Sequence, residues 1–187
     1  MDTDRSAVLA RIAAVARDAA MTGVRIIGVD GPSGAGKSTL AGAVADHLRA
    51  PIVEIDDFVS WRQFDGWWPR FDAQVLRALL AGRDAHYQVR DWVGDEFGDR
   101  LAGWKTLPWQ PFVVFEGVTC TRAVAAAALA CRVWVEAPAA ERLRRGIARD
   151  GESHRKLWEA WMVDEERFFA SDDTRSRADI VVDGTAS

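Results

Sequence analysis

The eight residues Gly31-Pro32-Ser33-Gly34-Ala35-Gly36-Lys37-Ser38 set a lysine and a hydroxyl directly behind a glycine-rich turn. The spacing Gly-x-x-x-x-Gly-Lys-Ser suits a polyphosphate. Glycines at 34 and 36 let successive backbone N–H groups turn inward around a β-phosphate, at the positive end of the helix that follows. Lys37 can then reach the β- and γ-phosphates, and the Ser38 hydroxyl can ligate Mg²⁺. Gly31, Ser33, Gly34, Ala35, Gly36, Lys37, Ser38 and Thr39 are therefore the expected nucleotide-binding residues, with ATP and Mg²⁺ as the expected cofactors.

Carboxylates stand in two further places where phosphoryl chemistry could use them. Asp56 and Asp57 close the apolar run Ile52–Ile55, and Glu116 closes Phe112–Phe115. Carboxyl ends of strands in an open α/β fold face the ligand crevice, so an acid there can orient a hydroxyl near a transferring phosphoryl group. An acid placed directly after apolar strand residues is expensive to bury unless it is paired or near a cation, which points Glu116 toward Mg²⁺. The ordinary alternatives are a turn carboxylate and an exposed strand-end acid. On a helix starting at Ala139, Arg142, Arg145 and Arg149 fall within about 60° of one another. Three guanidiniums on one face can stabilise charge on the equatorial oxygens of a phosphoryl group, or can be a solvated face paired with Glu141 and Asp150.

These residues need elements to hold them. Apolar runs at Val24–Val29, Ile52–Ile55, Phe112–Phe115, Val133–Val135 and Ile180–Val182 read as strands, several separated by helical periodicity. Helices are expected over 6–20, from Lys37 through Arg49, over Asp72–Leu80 and from Ala139. The pattern predicts an α/β chain with the P-loop NTPase three-layer architecture: five parallel strands with helices on both faces. At 187 residues, one domain is expected. Residues 57–110 are loosely patterned and rich in Trp, Gly and Asp, as acceptor-binding loops beyond a sheet edge are.

Motors and GTPases fit less well: there is no Asn-Lys-x-Asp run for guanine. Val53-Glu54-Ile55-Asp56-Asp57-Phe58 instead resembles the corresponding segment of the uridine kinase and nicotinamide riboside kinase family. Phe115-Glu116-Gly117-Val118 is similar to that family's Phe-Glu-Gly run, and Arg142 to Asp150 resembles its lid sequence. Thr174-Arg175 with Ala178 to Val182 is like its closing strand, so the resemblance keeps its order from about Val24 to Gly184. It implies an ATP- and Mg²⁺-dependent kinase acting on a hydroxyl of a nucleoside-like acceptor. Asp56 would be the base, and Glu116 and Ser38 would hold the metal. Lys37, Arg145 and Arg149 would act on the transferring group, and Arg142 on the nucleotide, from a lid over 139–156. Asp56, Phe58, Asp65 and Trp92 would form the acceptor side, Asp91-Trp92 being like an Asp-Phe of the family's pocket. Arg90 stands where a Tyr is usual. Kinases of another small alcohol (a sugar, a vitamin precursor or an antibiotic) and an ATP-driven regulatory switch remain the alternatives.

Composition narrows the partners. A net charge of −4 argues against non-specific nucleic-acid binding, and ten acids against six arginines in 51–100 disfavour a highly anionic acceptor. No apolar stretch approaches bilayer length and no secretory leader stands at the N-terminus, so a cytoplasmic protein with a small-molecule acceptor is expected. Cys120 and Cys131 read as buried small residues. Six of nine tryptophans lie between 61 and 109, most of them expected as packing, whereas Trp158, Trp161, Met162, Phe168 and Phe169 follow helical spacing and read as core. His47, His86 and His154 show no partner at nucleophile or metal spacing.

Overall fold

The computed structural model describes residues 2–185. Its strands are β1 Arg25–Asp30, β2 Ile52–Glu54, β3 Ala85–Arg90, β4 Leu101–Leu107, β5 Phe112–Glu116, β6 Leu129–Glu136 and β7 Ile180–Asp183. The five apolar runs pair in parallel in the order β2-β5-β1-β6-β7. The three central strands, β1, β5 and β6, are buried on both faces, which is why these runs are apolar without alternation, while the edge strands β2 and β7 are buried only in part. Along β1, Ile26 joins one core and Ile27 and Val29 the other.

Helices α1 Asp2–Asp18 and α2 Lys37–Leu48 cover the face that holds Ile27 and Val29, through Ile12, Ala16, Leu40 and Val44. The opposite face carries α3 Trp68–Phe71, a π-helical turn over Asp72–Leu76, and α4 Arg77–Leu80, packed through Trp67, Phe71, Val75 and Leu79. Helices α5 Ala139–Asp150 and α6 Arg155–Asp172 follow β6 and pack on each other. The expected three-layer α/β architecture is therefore observed. Among the described residues, no helix is long and apolar enough to cross a membrane.

Register decides where the chemistry lies. Glu116 is level with Val29 of β1 and with Glu54 of β2. The carboxyl ends of these three neighbouring strands thus end together, and the segments that leave them, 31–38, 55–58 and 117–121, emerge on one edge of the sheet.

Three elements depart from the sequence pattern. The leading helix starts at Asp2 rather than residue 6, and the helix expected from Asp72 starts at Trp68, with Pro69 in its first turn, where a missing N–H is harmless. The loose segment contains an antiparallel hairpin, β3 with β4. Its period-two signal is weak because residues 103 to 106 are exposed while Arg90, a charged residue, is the buried one at the end of β3.

Candidate active site

The edge where the three strands end opens into a cleft of about 1450 Å³, walled by the glycine-rich loop, the Asp56 segment, the start of the β5–β6 connection, α5 and α6. The loop's shape has causes beyond phosphate binding. Gly31 has φ 136°, and any Cβ there would collide with the Val135 carbonyl of β6. Gly34 has φ 77°, and a Cβ there would come within 2.6 Å of the Arg142 carbonyl oxygen. Only glycine permits both the backbone angle and the approach. Beneath the loop, the fully buried Asp30 carboxylate accepts from the N–H groups of Gly31, Thr119 and Thr121 at 2.7 to 2.8 Å and from the Thr121 hydroxyl at 2.8 Å. It locks the end of β1 to the segment leaving β5.

Lys37 opens α2 and donates to the Pro32 carbonyl at 3.1 Å, so its ammonium folds back across the loop. Ser38 donates to Glu116 Oε1 at 3.3 Å, bringing the two expected metal ligands together. Burial pushes the Glu116 carboxyl up to about 7, with the Asp56 and Glu54 charges adding to it and Lys37 opposing. A carboxylate that is costly to ionise beside a hydroxyl fits a small hard cation, which typically takes one or two protein oxygens and fills its shell with phosphate oxygens and water.

Asp56 and Asp57 diverge because Ile55–Asp57 is a 3₁₀ turn. Asp56 is open to water in the cleft, but the protein surrounding that deep position raises its proton affinity, while Lys37 and Arg149 draw it down. Asp57 turns the other way, into a bidentate ion pair with Lys105 of β4 at 2.8 and 3.1 Å. Trp92 is on the cleft wall and donates from Nε1 to the Asp56 carbonyl at 2.8 Å.

On α5, Arg145 and Arg149 border the cleft. Arg145 donates to the carbonyls of Gly34 and Gly184 at 3.1 and 3.2 Å and to Glu141 at 2.8 Å. Arg149 pairs with Asp150 at 2.7 Å over the Trp158 ring, close enough for its charge to be felt by Asp56 and Glu116. Arg144 is exposed and bound to Glu141.

Three expected site residues are placed elsewhere. Arg142 does not border the cleft: it lies behind the loop, ion-paired to the buried Glu165 at 3.2 Å and reaching the Ser33 carbonyl at 3.4 Å. Phe58 is 5 % exposed and packs between Phe71 and Tyr87 under Arg70, because the turn that exposes Asp56 drives the residue two positions on into the core. Asp65 faces a separate shallow depression of about 590 Å³ beside Phe168, held there by the Arg122 bond to its carbonyl. Gly31 and Ala35 are buried in the loop itself, while Ser33, Gly34, Gly36 and Thr39 reach the cleft.

Other residues enter the site that spacing alone had left outside it. Trp158 and Trp161 of α6 border the cleft, and Trp161 donates to the Ser33 hydroxyl at 3.0 Å and to Glu165 at 2.8 Å. Trp61 stands edge-on to both Trp92 and Trp161, closing an aromatic wall. His154 pairs with Glu96 of the β3–β4 loop at 2.7 Å, joining that loop to the α5–α6 turn. Arg90 is buried and donates to five carbonyls, those of Asp91, Asp95, Glu96, Gly98 and Arg100, so one guanidinium organises that loop. Thr-rich 119–121 and the acid at 30 were readable as polar groups among apolar runs. Glu165 carried no local signal.

Sequence comparison matches no family model and no curated protein. Solved structures do match. A possible uridine kinase from Bacillus stearothermophilus superposes with a TM-score of 0.71 over 98% of this chain and 100% of its own, at 19% identity. The chain has the P-loop kinase fold. A candidate fructose transport system kinase from Silicibacter sp. TM1040 superposes with a TM-score of 0.66 over 95% of this chain and 98% of its own, at 18% identity.

Proposed function

We propose that this chain is an ATP- and Mg²⁺-dependent kinase of a small hydroxylated molecule, with a nucleoside-like acceptor as the first reading. The observation that carries it is the presentation of one carboxylate, Asp56, on the wall of the cleft that also holds Lys37, Arg145 and Arg149, while its neighbour Asp57 is held elsewhere by Lys105. In this reading the loop and Lys37 hold the triphosphate, and Ser38 and Glu116 would hold a Mg²⁺ ion, which would supply positive charge to offset that of the phosphate oxygens. Asp56 takes the acceptor hydroxyl's proton as that oxygen bonds to the γ-phosphorus. The bond from the γ-phosphorus to the bridging oxygen breaks, and its electron pair leaves on ADP. Arg145 and Arg149 stabilise the charge spread over the equatorial oxygens. Residues 1–187 act as a single kinase domain, with 57–110 as the acceptor excursion and 139–156 as the lid. A cytoplasmic setting supplies both cofactors, and neither nucleic acid nor membrane has a role.

A second reading, another small alcohol as acceptor, is favoured by the position of Asp65. Asp65, which the family resemblance puts on the acceptor side, lies outside the cleft, and Arg90 turns inward to its own loop rather than toward a ligand. The likeness to a candidate fructose transport system kinase also supports it.

The test is an ATP-consumption screen over nucleosides, sugars and vitamin alcohols with product identification. An acceptor should stimulate turnover with one phosphorylated product, and Asp56→Asn should lower that rate by roughly 10²–10⁴-fold while MgATP still binds. Turnover without any phosphorylated product would sink the kinase reading in favour of an ATP-driven switch.

A further inference from the structure

All three polar groups of Ser33, the third residue of the glycine-rich loop, are held by side chains from the α5–α6 pair. Its N–H donates to Glu165 Oε1 at 2.7 Å, its carbonyl accepts from Arg142 at 3.4 Å, and its hydroxyl accepts from Trp161 Nε1 at 3.0 Å. Glu165 is the centre of this arrangement. It is 1 % exposed, and its two oxygens receive the Ser33 N–H, the Trp161 Nε1–H at 2.8 Å and the Arg142 guanidinium at 3.2 Å. A carboxylate is an unwelcome group beside a loop that binds anions, and burying one is expensive without partners. Here Arg142 neutralises it, so what remains is a directional grip on one N–H.

We propose that Glu165 is a positioning residue of the triphosphate site. By drawing the Ser33 N–H toward α6, it fixes the first turn of the loop, so that the N–H groups from Gly34 onward keep their inward aim before nucleotide arrives. A charge-assisted bond to a backbone donor is among the stronger hydrogen bonds available for this, and preorganised donors bind better than donors that must be ordered on binding. Trp161, held by the same carboxylate oxygen as Ser33, is set at the same time. The inference rests on reading the loop as a triphosphate site, and it does not depend on any acceptor.

The decisive variant is Glu165→Asp, which keeps the charge and the Arg142 partner but withdraws the carboxylate from Ser33 by one methylene. Binding is measured by calorimetry with MgATP and with Mg²⁺-tripolyphosphate, which meets the phosphate loop and nothing that reads a base. Both affinities should fall by the same factor, about ten-fold, the loss expected for one charge-assisted hydrogen bond. If Glu165→Asp does not fold, the pair Arg142→Met with Glu165→Met removes the acceptor for the Ser33 N–H at constant net charge and should give the same joint loss. Unchanged affinities in a variant that folds, whether or not its melting temperature drops, would reduce Glu165 to helix packing and overturn the proposal. A joint loss of affinity in a protein that phosphorylates no acceptor would leave the positioning role standing and remove only the kinase reading.

Discussion

The two walls of the cleft are built by different means. The phosphate wall is backbone: glycines at 31 and 34 pressed against β6 and α5, and a helix that begins at Lys37. The wall proposed for the acceptor, where Val59, Trp61, Trp92 and Glu96 line the cleft, is loop chain pinned by arginines. Arg70 donates to the carbonyls of Asp57, Phe58 and Gln88, Arg90 to five carbonyls of the loop that follows it, and Arg122 to that of Asp65. A wall of backbone dipoles suits a ligand that is always the same. A wall whose shape is set by a few guanidiniums gripping carbonyls makes few demands on the identity of the residues it grips.

If that division is right, damage to one wall should leave the other intact. The largest effect is expected from Lys37→Ala, which removes the cation proposed to meet the phosphates; transfer should fall by about 10³-fold, the scale for losing one such group, with the melting temperature close to that of the parent. Near-normal turnover would take the loop out of the mechanism. Arg90→Ala should act on the other side: the β3–β4 loop loses its organiser at about 3 kcal/mol of stability, and the acceptor's KM should rise while MgATP binding is unchanged. Calorimetry and steady-state kinetics on the same preparation would show it, and an equal loss in MgATP binding would break the comparison.

The smallest effect sharpens the boundary between the walls. Glu116 lies between them, with its carboxyl raised from 4.5 to about 7 in the folded protein. A raised carboxyl adds stability that is fully present below its unfolded value and is lost as pH rises through the folded one. Without metal or nucleotide, unfolding free energy should therefore decline between about pH 4.5 and pH 7 by about 2 kcal/mol more in the parent than in Glu116→Gln, allowing for water in the cleft. Parallel pH profiles of the two proteins would mean that the carboxyl ionises freely.

The strands were legible because β1, β5 and β6, buried on both faces, and the shorter edge strands β2 and β7 are each an apolar run that declares itself without its partners. The loop was legible because its glycines, lysine and serine act within eight residues. The divergence of Asp56 from Asp57 follows from local turn geometry. What escaped depends on distant chain. Glu165 meets Ser33 across 132 residues, and nothing in its helix distinguishes it from its neighbour Glu166. Arg142 shares its face with Arg145 and Arg149 by angle, but Glu165 decides which way it turns. Phe58 and Asp65 sit in a motif-like stretch whose path is set by Arg70 and Arg122 from outside it. The hairpin hid because β4 is exposed from 103 to 106 without apolar alternation, and β3 buries an arginine at its end beyond Ala85 and Tyr87.

The grip of Arg90 on the loop from Asp91 to Arg100 has a consequence for inheritance. The guanidinium reads carbonyl oxygens, and every residue type carries the same carbonyl. Positions such as Val93, fully exposed, and Phe97, half exposed, can therefore drift without unfolding the loop, while the cleft-facing pair Trp92 and Glu96 is tied further, to the Asp56 carbonyl and to His154. Arg90 itself cannot drift, since a lysine has neither the planar fork nor enough donors to span five acceptors. One immobile codon thus frees its exposed neighbours to vary, and a lineage descending from this chain could rewrite the outer face of the loop while Trp92 and Glu96 kept their hold on Asp56 and His154.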